Sequence, residues 1–567
     1  MKYNLFFWKG LTFGIILLFV WTCIIPAIAQ DIEKSSSPAS RGNWLYVGGS
    51  GSGNYSKIIY ALENASTNDT IFVYNGTYFE SFSISKSIHL IGEDKYTTII
   101  DAQGSPHVIN FATDWITVSG FTLTNSRDWA NDCGIYIKNA WETHTTHNTI
   151  TNNIFTQHRE IAITVYKSEY NIITGNIFMN NTDAIETGSY SYYNNISNNT
   201  ITDGGIFLWG APNYNVVSNN HVIRGGITVS LGAYNIIINN TIENGGNLKL
   251  MWDTQNNIVK NNVLISSNAI ILEESINNTV QDNELINSRG ISISGNTIDY
   301  WHTHTIENNS DNGKPILYYK NQDTITIPSN AAQVILANCK NCLIKNLNIT
   351  NLTDGVQLGF STENTICFNK IYNNSEIGIL LQDSQSNNIN NNTIEKNSRC
   401  GIAFQGYSHK NKIFYNDIIK NGDGIFDEGL SEANDIQNNQ INDNSNHGVY
   451  IGGLGGALNI INKNSFKNNY GGIFLDFSYF NIISNNNFLN NSKYHASYKV
   501  DYQKAQTNTW IKNYYDRSHV IFPVLIRGSI KTRFHYYDYL SEEDVYIYRH
   551  GFQIDWFPAL KPYDIGV

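Results

Sequence analysis

Charge is what this sequence has least of. Asp, Glu, Lys and Arg make up 15% of its 567 residues, against roughly 25% in an average soluble domain. No run of Lys or Arg occurs and the formal net charge is −11. That excludes the basic stripe a nucleic-acid partner needs. Methionine is scarcer still, at Met1, Met179 and Met251, too few for a soft-metal carrier built on clustered thioethers. Amphipathic helical periodicity is missing from the body of the chain, which excludes a helical bundle. After residue 30 no apolar run is long enough to span a bilayer. Cysteine is also sparse. Beyond Cys23 the chain keeps Cys133, Cys339, Cys342, Cys367 and Cys400, an odd number that leaves at least one thiol without a partner in the chain.

What is present begins with an address. Lys2 and Lys9 precede an apolar stretch from Leu11 to Ile25, and Ala27-Ile28-Ala29 offers a small-residue cleavage site before Gln30. Residues 1–29 read as a signal peptide, or as a retained anchor, and both readings put the rest outside the cytoplasm. Residues 30–42 read as a tether.

Asparagine then sets a rhythm. The pattern Asn-x-Ile/Val-x-x-Asn opens at Asn148, Asn171, Asn194, Asn215, Asn235, Asn256 and Asn278, and again at Asn364, Asn387, Asn411, Asn434, Asn459 and Asn481. Steps of about 20 to 25 residues are a solenoid period. Between the openings sits Gly-Ile-x-apolar, as at Gly134-Ile135, Gly226-Ile227 and Gly472-Ile473. Both elements alternate with period two, so they read as short strands. Stacked laps then place Ile237, Ile258 and Val280 in one interior row and let asparagine amides satisfy one another from lap to lap. The fold class is all-β, a single right-handed parallel β-helix. Residues 43–112 read as N-terminal cap and first coils, with the only helix within Tyr55 to Ser66, and 113–494 as the repeats. An insertion falls at about 295–341, and 495–567 form an aromatic-rich C-terminal cap.

Three segments carry a resemblance: Leu45-Tyr46-Val47-Gly48-Gly49 with Gly76-Thr77-Tyr78 and Glu80; Asn312-Gly313-Lys314-Pro315 leading to Ile327-Pro328-Ser329; and Asn513-Tyr514-Tyr515-Asp516 with Asp555-Trp556-Phe557-Pro558. Together with the repeats the chain resembles the NosD-like proteins of the pectin-lyase-type β-helix superfamily, and among them exported archaeal-type surface members. The resemblance implies an exported β-helix. The family name implies copper delivery, and the superfamily's polysaccharide-active members imply a carbohydrate partner.

Four sets of residues are candidates for chemistry. Asp423, Asp427 and Glu428, one coil before His447, resemble the Asp-bearing and Gly-His-Gly turns of polygalacturonase-type hydrolases, and glycoside hydrolysis needs two carboxyls across the scissile bond. By repeat register Asp427 falls in the inward column of Phe404 and Ile451, where an unpaired carboxylate is costly. Glu186, Trp209, Trp252, Glu273 and Glu274 recur near equivalent points of successive coils, as a stripe of indoles and acids facing sugars. Glu142, His144 and His147, with His158 and Glu160, and the pair His302 and His304, are metal-ligand types without tight ligand spacing. Among Cys339, Cys342, Cys367 and Cys400 a disulfide is expected. No metal or cofactor is assigned. The leading expectation is an exported or cell-surface protein that binds polysaccharide or surface glycan, with possible association with the cell envelope. The alternatives are a polysaccharide hydrolase or lyase, and a copper-handling accessory protein.

Overall fold

Period-two alternation, broken every few residues by a corner, winds each lap into three short strands. One lap runs Ile236–Ile238, Thr241–Glu243 and Leu248–Met251, and the next Ile258–Lys260, Val263–Ile265 and Ile270–Glu273. The laps pair in parallel, as Ile237↔Val259↔Val280. The computed structural model describes residues 42–565, apart from 128, 130–131, 139–144, 429, 454–455, 502–507, 517–523, 539–540 and 556. It is an all-β solenoid of about 20 turns, 51% strand and 2% helix. The expected signal peptide and most of the tether lie outside the described residues.

The interior is built from middle-of-strand aliphatics. Ile237, Val259 and Val280 are fully buried. Here the expected row is corrected by one residue, since Ile258 points outward and is 38% exposed. The Asn256-Asn257 doublet is the cause: Asn257, not Asn256, takes the ladder position, and the strand behind it shifts accordingly.

Asparagine rows hold the corners. The Asn235 side-chain N–H donates to the Asn257 Oδ1 at 2.9 Å and to the Pro212 carbonyl at 2.8 Å, while its backbone N–H also reaches the Asn257 Oδ1. Each buried amide thus satisfies backbone groups that the turn leaves orphaned. The first half of the solenoid has two such rows, through Asn171 and through Asn176. The second half has three, through Asn387, Asn392 and Asn397.

The N-terminal end is covered by the helix Ile58–Asn64, which buries Ile58, Ala61 and Leu62. Glu80 accepts from the Ile58 and Ile59 N–H groups at its start, at 2.9 and 3.0 Å. It is not the only helix, because a single turn forms at Asp299–His302. Beyond that turn Ser310–Asp311 pairs antiparallel with Lys314–Lys320, and the second strand then pairs in parallel with Gln333–Ala337. Where the two halves meet, the edge of Ile291–Ser294 finds no backbone partner from the next lap and bonds to side chains. Gln333 accepts from the Ile291 N–H at 2.9 Å and donates to its carbonyl at 2.8 Å. Gln357 accepts from the Ile293 N–H at 3.0 Å and donates to the Ile291 carbonyl at 2.7 Å. Primary amides here stand in for a strand. At the C-terminal end Val524–Asp538 and Ser541–Asp555 form an antiparallel hairpin.

All five described cysteines are free and buried, which corrects the expected disulfide. Cys339 and Cys342 head the corner rows that continue as Ser361 and Asn364, whose side chains accept from their N–H groups. Their thiols donate to backbone carbonyls as the hydroxyl or amide does lower down. Burial pushes the Cys339 thiol up to about 11.

Candidate functional site

The Gly-Ile strands carry the chemistry, and the glycine explains how. A Cβ on Gly424 would lie 2.4 Å from the Gly448 carbonyl oxygen, so the glycine itself faces inward. The isoleucine after it is also buried, and the strand bulges. The residue before the glycine is turned to the outer face, which sets Asp423 and His447 side by side.

Asp423 accepts from the His447 backbone N–H at 2.8 Å and from its Nδ1 at 2.9 Å. A carboxylate only accepts, so Nδ1 carries a proton, and Nε2 lies 2.9 Å from the Tyr494 hydroxyl. Burial pushes the Tyr494 phenol well above its ordinary range. Around this chain of three, Phe426 stacks on Tyr450 at 5.0 Å and His447 on Phe474 at 5.5 Å. The Tyr450 hydroxyl donates to Asp476 at 3.2 Å, and burial, then Asp476, pushes it up to about 12. The Arg399 guanidinium lies 5.4 Å over Phe426 and 3.4 Å from the Glu428 carboxylate.

The four expected catalytic residues therefore separate. Asp423 and His447 meet, while Glu428 is on the outer face with Arg399. Asp427 is stacked between Phe404 and Ile451 in the interior column at 2% exposure, because alternation turns it opposite to Phe426. It is not left without a partner. The residues that complete the patch, Tyr450, Phe474 and Tyr494, escaped sequence reasoning. For Tyr450 and Phe474 the signal was their recurrence after the Gly-Val and Gly-Ile pairs of successive strands.

The indole stripe separates as well. The Trp209 indole N–H donates to the Glu186 carboxylate, and Trp209 is 41% exposed. A Cβ on Gly188 would stand 2.9 Å from the Tyr166 ring and 3.4 Å from the Trp209 ring. Glycine there leaves room for both aromatics. Burial foremost raises the Glu186 carboxyl, opposed by the Trp209 hydrogen bond, with Asp183 and Glu160 adding to the rise. Trp252 is not in this row. Ser230 and Met251 pair in register one strand position before it, and Trp252 occupies the left-handed corner beyond at φ 55°. Glu274 is on the same corner at φ 46°, and Glu273 pairs with Lys249 at 2.5 Å.

The histidines are occupied structurally. His158 bonds to the Ser126 hydroxyl at 2.8 Å and the Leu123 carbonyl at 3.0 Å. Burial holds it neutral down to about 4. His304 is likewise buried and lowered to about 4, and His302 bonds back to the Ile298 carbonyl at 2.8 Å. His147 is stacked between Trp115 and Tyr170. Glu142 and His144 lie outside the described residues.

Residues 62–250 match the family described as periplasmic copper-binding protein (NosD), and residues 286–455 and 332–488 match the right handed beta helix region. The chain carries a NosD-like segment followed by right-handed β-helix repeats. No curated protein matches it. Among solved structures the chain is similar to pectin methylesterase PemA from Erwinia chrysanthemi, at 17% identity over 38% of this chain and 82% of that one, TM-score 0.22. It is similar to DFA-IIIase from Arthrobacter chlorophenolicus at 13% identity over 58% and 94%, TM-score 0.37. It is also similar to the catalytic domain of an alpha-1,3-glucanase at 16% identity over 62% and 65%, TM-score 0.32. Scores this low carry no argument about what the chain does. The copper of the family's description does not fit the donors present. Among the described residues no three His, Cys, Asp or Glu side chains group as a metal site. Within the matched segment the Cys133 thiol meets the His107 Nδ1, at 3.5 Å, and Thr164. Among the described residues no helix is long and apolar enough to cross a membrane.

Proposed function

We propose that the protein is exported and binds polysaccharide along the outer face of its Gly-Ile sheet. The observation that carries this reading is Trp209, a half-exposed indole beside Tyr166 whose N–H is fixed on Glu186. An aromatic face held in one orientation packs against the C–H side of a sugar ring, and a neighbouring carboxylate accepts from its hydroxyls. Glu160, Asp183 and Glu186 supply such acceptors on the same face. The patch around His447 extends the polar and aromatic character of that face into later coils. Hydrolysis by the expected pair is not proposed, because Asp427 lies inside and does not face Asp423 across an open groove.

Titration of the protein and of Trp209→Ala against a panel of neutral and acidic polysaccharides tests the reading. Loss of the ring is expected to weaken binding about tenfold to a hundredfold. Equal affinity of the two proteins for every polysaccharide bound would remove the platform from the account.

A further inference from the structure

A second surface stands apart from that face. At the corner just before the first asparagine row, successive coils from Trp115 onward carry an aromatic ring: Trp115, His147, Tyr170, Tyr193, Tyr214 and Tyr234. The rings stack continuously, with centroids 4.3, 4.9, 5.0, 5.0 and 5.1 Å apart and planes within 20° of parallel. All six residues have φ between 55° and 60°, a left-handed backbone that bulky side chains rarely adopt and that asparagine takes readily. The next coils do use asparagine there, at Asn256 and Asn277. In the second half the corner holds Glu363, Ser386, Lys410, Ala433, Leu458 and Phe480, with no continuous ring stack. A run of aromatics at the position least suited to them asks for a reason beyond the turn.

The five Trp and Tyr side chains are 44% to 54% exposed. Beside them, on the outer face of the strands that follow, stand Ile172 and Ile258, 41% and 38% exposed, with Asn195, Val216 and Ile236 between. Asp114 and Glu169 are the two acids in the flanking corner column of Asp114, Thr146, Glu169, Tyr192, Asn213 and Ala233. A sugar ring does not fit this stripe, because each inner ring has both faces against its neighbours and only edges and hydroxyls remain. A partner must be apolar, extended and matched to a rise of about 5 Å. Such a rise belongs to stacked parallel strands.

We infer that this stripe is a self-association surface on which a second copy of the chain docks its own ring row, related by a two-fold axis. A second copy presents the same rise, so ring edges interdigitate along the whole row in a self-complementary contact. Two chains of net charge −11 repel over most of their surface, and this nearly uncharged stripe is where they approach at least cost. At the exposures given, the rings and aliphatics offer on the order of 700 Å² per copy, close to the ~800 Å² per partner of a stable interface. This inference does not rest on polysaccharide binding.

Sedimentation velocity over a wide concentration range tests it with two variants of the full chain. Tyr170→Asn/Tyr193→Asn/Tyr214→Asn installs the residue that Asn256 and Asn277 already use at this corner. Ile172→Glu/Ile258→Glu leaves the ring row whole and places charge on the exposed stripe. The wild-type chain is expected to form a concentration-dependent dimer, and both variants are expected to weaken it about tenfold or more. A wild-type chain that stays monomeric throughout overturns the inference. So does a dimer indifferent to Ile172→Glu/Ile258→Glu, since the stripe would then lie outside the contact.

Discussion

The two halves of the solenoid turn the same corner by different means. From Asp203 to Gly246 the corner ahead of each Gly-Ile strand shrinks to glycine pairs. A Cβ on Gly225 would stand 1.5 Å from the Gly204 carbonyl oxygen, and one on Gly246 1.6 Å from that of Gly225, so no side chain is admitted. From Asn374 onward the corner is longer and rests on a third asparagine row, Asn374, Asn397, Asn421, Asn444 and Asn469. The longer corner adds a residue ahead of the glycine, and that residue stands on the outer face. Asp423, His447 and Tyr494 all occupy this extra position. In the glycine coils the strand begins at once with Ile206 or Ile227, and the position does not exist. A tight corner thus saves length at the expense of a place for chemistry.

The largest effect that tests this contrast is expected from Gly225→Ala. The methyl group meets backbone that cannot yield, and a loss of about 4 kcal/mol or more follows. Ser398→Ala, on the exposed corner of the second half, should stay within about 0.5 kcal/mol. Denaturant unfolding of both decides, and similar losses would erase the difference between the corners.

Next in size is the joint between the halves. Gln357→Leu leaves the Ile293 N–H without its acceptor and the Ile291 carbonyl without one donor, at a cost of about 2 to 4 kcal/mol. Hydrogen exchange should speed up first at Ile293. Unchanged protection there would show that the glutamine does not act as a surrogate strand.

The smallest effect is a pH dependence in the first half. His158 in the folded chain stays neutral down to about 4, whereas an unfolded histidine protonates near 6.5. The unfolded chain takes up the proton first. The contribution of the neutral histidine is therefore fully present above 6.5 and is lost as pH falls toward 4. His158→Asn places there the residue found at Asn181 on the next coil, and should recover about 2 kcal/mol midway through that window. Asp311, raised by burial to about 7, acts in the opposite sense and loses stability as pH rises through that value. The difference between variant and wild type at each pH isolates the histidine. A difference that is flat with pH would show that His158 is not held neutral.

How much of this could be read from the sequence depended on what each position must satisfy. The asparagine rows were legible because orphaned corner amides demand one residue type at one place, and the inward course of Asp427 followed from register alone. The slip at Asn256 came from a doublet in which either residue meets the pattern. Counting residues could not place Trp252, because coil length varies and one added residue moves a side chain from a strand to a corner. Tyr494 was invisible as a partner of His447 because Gly471 stands between them in their column, and the phenol reaches over a residue with no side chain. The ring row was missed for the opposite reason: its members lie one position before each asparagine, where a turn residue was expected and composition is free.

The C-terminal end of the second asparagine row has a consequence for the length of the molecule. Every member of the row gives to its successor and takes from its predecessor, so the row has a direction and its last amide, Asn513, needs something that only takes. Asp555 supplies this, its Oδ2 accepting from both the backbone and side-chain N–H of Asn513 at 3.0 Å, with Tyr515 as a further donor at 3.3 Å. A carboxylate at that point is a stop signal written in hydrogen-bond polarity. The bond polarity at this point does not depend on how many laps of the row precede it, so the same carboxylate would close a shorter or a longer row.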